Sequence, residues 1–461
     1  MPSTVNHDEW DLPRLRASIG FEDDFQYLSA DDQDTEFFDV KFYPFADDTH
    51  DPVFAAVVIY RLSNKINPPY ELVQLFRDDD QDALNCSCTW SKDPETEAPW
   101  LCVAGRDALI KVYDVIKGTL VKALKGHGGE INDLATCPTD SSLIASASDD
   151  TTIRIWSLDP TWEKQPCWTL PDLPPEQIGN PPMPLSVHYP HFFTSEVHSG
   201  IVDCVAFFGD LILSRACHED IIVLWRIEGF SSKDPPPTAS EAPTTSDPER
   251  LTRSAFAPVT ASSCPPQYTR LLQFYTPNCG HQFYLRFKLY HNKGKHPVLA
   301  FGNAHSAIFF WDLARLLGYH DFINDLRDPA RDRLQPIHRP GWLVPIQHRH
   351  KGDAVNKLKD AASDRDSVFS GRTGSVDAET HVDVNVDYGQ ETLESWEGKY
   401  DLTRVEEPVK AHAQSNITVK DFVGRQVAWS AHGDWCVVVG SKNLAIVLQR
   451  WAKKDNVNDA Q

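Results

Sequence analysis

The chain has 461 residues, of which 41% are hydrophobic and 11% aromatic, and its formal net charge at pH 7 is −22. This acidic balance argues against direct DNA binding, because neutralising phosphates requires clustered Lys and Arg. It suits a basic peptide partner, although an acidic excess can also serve solubility alone. The sequence has no run of about 18 apolar residues and no apolar signal-peptide core, so we expect an intracellular protein with no membrane contact.

The N-terminal part predicts a tail followed by a strand-rich domain. We expect residues 1–35 to form an acidic tail and residues 36–451 to form the domain, with a second tail at 452–461. Alternating apolar positions at 51–76 and at 100–115 are typical of β-strands. The sequence therefore predicts an all-β fold.

Residues 126–156 carry the spacing of a WD40 β-propeller blade. A Gly-His pair opens the segment, an Asp lies in a tight turn, and an aromatic residue closes the third strand. We expect His127, Ser148, Asp150 and Trp156 to form a buried hydrogen-bond relay, in which Asp150 caps the turn amides and accepts from His127. Such a relay holds one sheet together and performs no chemistry.

The blade pattern recurs along the chain. Copies close on Tyr113, Trp225, Trp311 and Trp451, and a weaker copy lies at 51–76. Six copies predict a closed ring of six blades. Residues 157–200 are too rich in Pro to hold central strands, so we expect an irregular or missing blade there.

Two polar segments interrupt the predicted blades. Residues 231–268 are rich in Pro, Ser and Thr, and the scattered apolar residues of 347–414 follow neither a helical nor a strand period. Such segments bury too little apolar surface to offset chain entropy. We therefore expect both to be disordered insertions.

Catalytic and metal-binding patterns find little support in the sequence. There is no Gly-rich phosphate loop, no GxSxG elbow and no HExxH helix, and His127 and His198 lie where blades place a structural His. The ten cysteines form no CxxC pair, and Cys86 and Cys88 share a strand face without identifiable partner ligands. We expect no enzyme activity, no metal and no cofactor.

Four segments resemble one particular family. Residues 104–134, 202–227, 299–313 and 424–435 are similar to the embryonic ectoderm development (extra sex combs) family, the WD40 subunits of Polycomb repressive complex two. The family has seven blades, and the blade expected between those closing on Trp156 and Trp225 is absent here. Either the ring closes with fewer blades or the sequence lacks an exon, and we favour the second because removing one blade changes every closure angle.

The resemblance implies a non-catalytic reader and scaffold in the nucleus. In that family one mouth of the propeller binds trimethyl-lysine of the histone H3 tail, and the opposite side holds a segment of the SET-domain methyltransferase subunit. The implied partners are that enzyme, the H3 tail and other Polycomb subunits, with no direct DNA and no membrane. Reading the mark then stimulates the enzyme and supports gene silencing. The alternative is a generic WD40 interaction scaffold without methyl-lysine specificity.

The resemblance also assigns the reading site. An aromatic cage falls on Phe38, Phe283 and Tyr284, and Cys86 stands where the family has a Tyr. Arginines that match Arg286 and Arg425 lie at the same mouth in the family, so a peptide-binding role is implied for both. Taken without the resemblance, the aromatic residues would fit ordinary strand packing.

Overall fold

The structure is a computed structural model. It describes residues 13–19, 39–45, 53–55, 58–62, 70–75, 84–159, 185–188, 190–235, 237, 251–257, 266–279, 282–292, 294–332, 336–346, 380–383, 388–417, 419, 421–430, 432–433, 435–442 and 444–450.

Strands make up most of the described chain. Those of the first half are β1 (Pro13–Ile19), β2 (Lys41–Phe42), β3 (Val53–Ala55), β4 (Val58–Leu62), β5 (Tyr70–Leu75), β6 (Asn85–Lys92), β7 (Pro99–Gly105), β8 (Leu109–Asp114), β9 (Thr119–Lys125), β10 (Ile131–Thr136), β11 (Leu143–Ser148), β12 (Ile153–Ser157), β13 (Leu185–Val187) and β14 (Phe192–Thr194). Those of the second half, with two helices, are β15 (Val202–Phe208), β16 (Leu211–Ala216), β17 (Ile221–Ile227), β18 (Thr252–Ser254), β19 (Tyr268–Tyr275), β20 (Phe287–Tyr290), β21 (Val298–Gly302), β22 (Ala307–Asp312), α1 (Leu313–Arg327), β23 (Ile337–Pro340), β24 (Thr380–Asp383), α2 (Gln390–Tyr400), β25 (Ala413–Asn416), β26 (Gly424–Trp429), β27 (Trp435–Gly440) and β28 (Leu444–Arg450).

The strands form six blades within the described residues. Blade 1 is β2-β3-β4-β5, blade 2 is β6-β7-β8-β9 with β13, blade 3 is β10-β11-β12-β14-β18, blade 4 is β15-β16-β17-β19, blade 5 is β20-β21-β22-β25, and blade 6 is β26-β27-β28-β1. The first strand named in each blade contacts its counterparts in the two neighbouring blades, from β2 through β6, β10, β15, β20 and β26 back to β2. The predicted all-β WD40 propeller with six blades is confirmed, and its ring closes.

The hydrophobic core lies between the blades. The buried apolar residues of the described chain group into six clusters, one at each interface between adjacent blades. A central strand such as β11 is sandwiched on both faces and is buried at every position, so its sequence reads as a run of small and apolar residues. Within the described residues, each of the six interfaces is filled and the ring closes with six blades.

The N-terminal strand completes the last blade. Pro13–Ile19 pairs antiparallel with Leu444–Arg450, from Pro13 opposite Arg450 to Ile19 opposite Ala445. The expectation that residues 1–35 form only a tail is therefore wrong for this segment, which covers an edge strand whose backbone groups would otherwise stay unpaired. The rest of 1–35, and the tail at 452–461, lie outside the described residues.

Both predicted insertions contain structure. Thr252–Ser254 pairs with Phe192–Thr194 as the outermost strand of blade 3, so the prediction of disorder over 231–268 is wrong there. Leu185–Val187 pairs within blade 2 and Phe192–Thr194 within blade 3, so the described residues of 157–200 do not form a blade of their own.

The second insertion carries a helix and a strand. Gln390–Tyr400 is helical, and Thr392, Trp396 and Tyr400 are buried at a spacing of four residues, which places them on one helix face. Trp396 and Tyr400 pack into the cluster that also contains Leu316 and Trp342. Thr380–Asp383 is a strand that pairs with Ile337–Pro340. The prediction of disorder over 347–414 is therefore wrong for 380–383 and for 388–414, and residues 347–379 and 384–387 lie outside the described residues.

No helix in the described part of the chain is both long and apolar enough to cross a bilayer.

Candidate functional site

The blade 3 relay joins His127, Asp150 and Trp156 through Ser146. The Trp156 indole donates to Ser146 Oγ at 2.9 Å, and Ser146 Oγ lies 2.6 Å from His127 Nε2. His127 Nδ1 lies 2.9 Å from Asp150 Oδ2, which also accepts the Gly128 amide. Burial lowers the pKa of His127, so a neutral ring can donate from Nδ1 to Asp150 and accept from Ser146 at Nε2.

The serine predicted for this relay, Ser148, is the wrong one. Its Oγ donates to the Gly129 carbonyl at 3.0 Å and accepts the Asp150 amide at 3.2 Å. Ser146 and Ser148 lie two residues apart on β11 and so face the same side. The Trp156 indole and His127 Nε2 both contact Ser146 Oγ, so Ser146 completes the relay.

A second relay of the same form lies in blade 4. The Trp225 indole donates to Ser214 Oγ at 2.8 Å, and Ser214 Oγ lies 2.7 Å from His198 Nε2. His198 Nδ1 lies 2.6 Å from Glu219 Oε2. His198 is therefore a structural residue, and Glu219 takes the place that Asp150 holds in blade 3.

One mouth of the ring is built at bulges of the inner strands. The register of β6, β10, β15 and β26 shifts at Cys86, Asn132, Asp203 and Arg425 respectively. A bulge leaves a residue out of the ladder and re-aims its side chain. Cys86 and Arg425, both assigned to the reading site, lie at this level.

Buried charges join the inner strands beneath this mouth. Asp39 accepts from Ser87 Oγ at 2.7 Å and from Gln426 Nε2 at 2.7 Å, which links blades 1, 2 and 6. Lys41 Nζ lies 3.1 Å from Asp133 Oδ1. Burial alone would lower the pKa of Lys41. The charges of Asp133 and Asp39 have the larger opposite effect, so the pKa of Lys41 lies above its ordinary value. Sequence reasoning missed this network because its members are scattered along the chain.

Two adjacent aromatic residues lie at the mouth. The Phe283 side chain is 40% exposed and Tyr284 is half-buried, and their ring centroids are 6.4 Å apart. The His218 ring meets Phe283 edge-on at 5.4 Å. Tyr284 has φ of 57°, which is rare for a non-Gly residue and typical of functional sites. Phe38, the third predicted cage residue, lies outside the described residues.

A carboxylate connects Tyr284 with Cys86. Glu130 Oε1 accepts from Cys86 Sγ at 2.7 Å and from the Tyr284 hydroxyl at 2.7 Å. Burial and the hydrogen bond to Glu130 raise the pKa of Cys86 to about 12 and also raise that of Tyr284. Both groups are therefore protonated donors near neutral pH. No motif or spacing in the sequence pointed to Glu130, which precedes β10 in the blade 3 repeat.

Arg286 is placed differently from its predicted peptide-binding role. Its side chain is fully buried, and its guanidinium donates to the carbonyl oxygens of Cys86, at 2.6 Å, and of Asn132. It also lies over the Tyr284 ring at 5.5 Å. Arg286 therefore ties the inner strands of blades 2 and 3 to the Tyr284 loop and supports the mouth from below.

Arg425 remains at the surface of the mouth. Its side chain is partly exposed and its guanidinium donates to the Phe283 carbonyl, while its own carbonyl accepts the Arg286 amide at 2.8 Å. It therefore fixes the backbone that presents the two aromatic rings and keeps a charge beside them.

The described cysteines offer no metal-ligand set. The eight that fall in the described chain are free and buried, and no group of three or more His, Cys, Asp or Glu there could hold a metal ion.

A closed ring of four-stranded blades with Trp-Ser-His-carboxylate relays defines a WD40 propeller, a class that binds other proteins at its mouths. The WD domain, G-beta repeat family matches residues 118–157. Polycomb protein EED from Chaetomium thermophilum is 42% identical over 558 aligned positions, which cover 97% of this chain and 97% of that protein. The chain belongs to the family of Polycomb protein EED. The alignment is longer than the 461-residue chain, so the relative contains internal segments without a counterpart here.

Other relatives agree with this assignment. Polycomb protein esc from Drosophila melanogaster is 29% identical over 34% of this chain and 47% of that protein. The crystal structure of the Chaetomium thermophilum polycomb repressive complex 2 contains a chain 43% identical to this one, with a TM-score of 0.66 and coverage of 96% of this chain and 99% of that chain. A second structure, of the same complex with H3K27me3 and H3K27M, gives a TM-score of 0.65 at 43% identity, covering 97% of this chain and 100% of that chain.

Proposed function

We propose that this protein is the non-catalytic scaffold and histone-tail reader of a Polycomb-type methyltransferase complex. The observation that carries the proposal is the exposed Phe283 ring beside Tyr284 at the bulged mouth of the propeller, in a chain of the EED family. The relative in the complex with H3K27me3 supports a methylated H3 tail as the ligand.

The chemistry of such a mouth suits a methylated ammonium. Methyl groups replace N–H donors and weaken hydration, so aromatic ring faces can hold the cation through cation–π attraction and desolvation. Phe283 and Tyr284 supply two rings, Phe38 is the proposed third, and Cys86 leaves one side without a ring. Arg425 is the proposed contact for the backbone of the peptide.

The scaffold role rests on the family. The matched structures are of polycomb repressive complex 2, so the proposed partners are the SET-domain methyltransferase and the other Polycomb subunits. Neither DNA nor a membrane is a proposed partner, and the proposed location is the nucleus. Binding of the mark is proposed to stimulate the enzyme, so that silencing spreads.

A generic WD40 scaffold is the second candidate, and Cys86 favours it because one aromatic wall is lost. Binding of H3-tail peptides with and without methylation of the lysine in an Ala-Arg-Lys-Ser context separates the two. We expect the methylated peptides to bind more tightly. Tyr284→Ala should weaken that binding about fivefold, the loss of about 1 kcal/mol expected for one cation–π contact.

A control variant and a second assay complete the test. Phe193→Ala removes a half-buried ring on β14, in the outer part of blade 3, and should leave peptide binding unchanged. Purification from cell extract should recover a SET-domain methyltransferase with the full chain. Two results together would refute the reader proposal: equal binding of methylated and unmethylated peptides, and purification that recovers partners other than a SET-domain methyltransferase. The generic WD40 scaffold would then be the remaining candidate.

A further inference from the structure

The mouth contains an acceptor that an all-aromatic cage lacks. Glu130 Oε1 accepts hydrogen bonds from the Cys86 thiol and from the Tyr284 hydroxyl, each at 2.7 Å. Its second oxygen, Oε2, has no hydrogen-bond or ion-pair partner in the described part of the chain. Since the Glu130 side chain is only partly buried, this oxygen is available to a ligand held against Tyr284.

The position of this carboxylate follows from the small residue at Cys86. An aromatic side chain at the start of β6 would fill the space beside Tyr284, whereas a thiol leaves that space to Glu130 and donates to it. Cys86 and Tyr284 both remain protonated near neutral pH, because burial and the hydrogen bond to Glu130 raise the pKa of each. The carboxylate is therefore fixed by two donors in one orientation.

A carboxylate and an aromatic ring select different methylation states. A trimethylammonium has no N–H, so it gains only Coulomb attraction from a carboxylate and its methyl groups hold the nitrogen away. A dimethylammonium keeps one N–H, which can form a short charge-assisted hydrogen bond while its methyl groups contact the rings. An unmethylated ammonium is more strongly hydrated and gains least from the rings.

We propose that Glu130 makes this mouth selective for dimethyl-lysine over trimethyl-lysine. The inference rests on the proposed reader function, which it refines by naming the methylation state. Glu130 Oε2 accepts the remaining N–H, and Phe283 and Tyr284 contact the two methyl groups.

Four H3-tail peptides, with the same lysine unmethylated, monomethylated, dimethylated or trimethylated, test the proposal by fluorescence anisotropy. We expect the full chain to bind the dimethylated peptide about tenfold more tightly than the trimethylated one, the lower end for a hydrogen bond to a charged group. Glu130→Ala should abolish or reverse that ratio. Glu130→Gln retains an acceptor for Cys86 and Tyr284 but loses the charge, so the ratio should fall to about threefold.

Matched variants separate the charge from its position. Glu228→Gln removes a carboxylate that pairs with Arg226 and Thr269 on the outer part of blade 4, and it should leave the ratio unchanged. Cys86→Tyr together with Glu130→Ala rebuilds the aromatic wall and should favour the trimethylated peptide.

The outcomes distinguish this inference from the proposed function. If the natural protein binds the trimethylated peptide as tightly as the dimethylated one or more tightly, the inference is overturned while the reader function stands. If no methylated peptide binds better than the unmethylated one, the reader function fails and the inference with it. The ratio for the natural protein decides the matter even if a Glu130 variant does not fold.

Discussion

Replacing Ser146 by Ala tests the relay that holds blade 3 together. Ser146 is fully buried, and its hydroxyl connects the Trp156 indole at 2.9 Å with His127 Nε2 at 2.6 Å. Alanine leaves both of these groups without a partner. An unsatisfied buried polar group costs about 1–3 kcal/mol, so we expect Ser146→Ala to lower the free energy of unfolding by about 3 kcal/mol.

Ser148→Ala is the matched control, two residues further along the same strand. Its hydroxyl contacts the Gly129 carbonyl and the Asp150 amide in a turn that is only partly buried. Water can replace those bonds, so the expected loss is about 1 kcal/mol. Ser214→Ala in blade 4 repeats the Ser146 geometry and should cost about as much as Ser146→Ala.

Urea denaturation followed by tryptophan fluorescence and by circular dichroism measures these losses. The two probes must give coincident transitions before a free energy is assigned to a protein of this size. Ser146→Ala and Ser214→Ala should shift the midpoint to lower urea by similar amounts, well beyond Ser148→Ala. A larger shift for Ser148→Ala would show that the relay runs through Ser148 and would refute the assignment.

Two further predictions concern ring closure and acid stability. Deleting residues 13–19 uncovers the outer edge of Leu444–Arg450. We therefore expect this deletion to lower the melting temperature and to cause self-association, measured by light scattering. Deleting residues 2–11 is the control, and equal behaviour of the two deletions would contradict the role of β1. Burial alone would raise the pKa of Glu219. The hydrogen bonds from His198 and Ser199, together with the charge of His198, outweigh burial and lower this pKa to about 2. Because the folded pKa lies below the ordinary 4.5, this stabilisation is present above about pH 4.5 and is lost as pH falls toward 2. Glu219→Gln should reduce the loss of unfolding free energy over that range by about 1–2 kcal/mol, after allowance for solvent screening; an unchanged acid profile would show that the pair contributes nothing.

The blade pattern could be predicted from the sequence because its causes are local. Alternating apolar positions set the strands, and the His, Asp and Trp of the 126–156 repeat mark one blade. Six such copies predicted the six blades that the structure contains. The two insertions were predicted less well, because the buried face of α2 has only Thr392, Trp396 and Tyr400, and that sparse pattern gains meaning only from the cluster against which it packs.

The residues of the reading site show where sequence information ends. From the sequence by itself, the resemblance to a known reader family assigned Phe283, Tyr284, Cys86 and Arg425 to the reading site. Only the tertiary structure decided that Arg286 is buried beneath the mouth and that Glu130 joins Cys86 and Tyr284, from which it is 44 and 154 residues distant. The physical reason is that the propeller brings bulged positions from four of its six inner strands to the same mouth. A side chain's partners there depend on ring closure and burial, which no local spacing encodes.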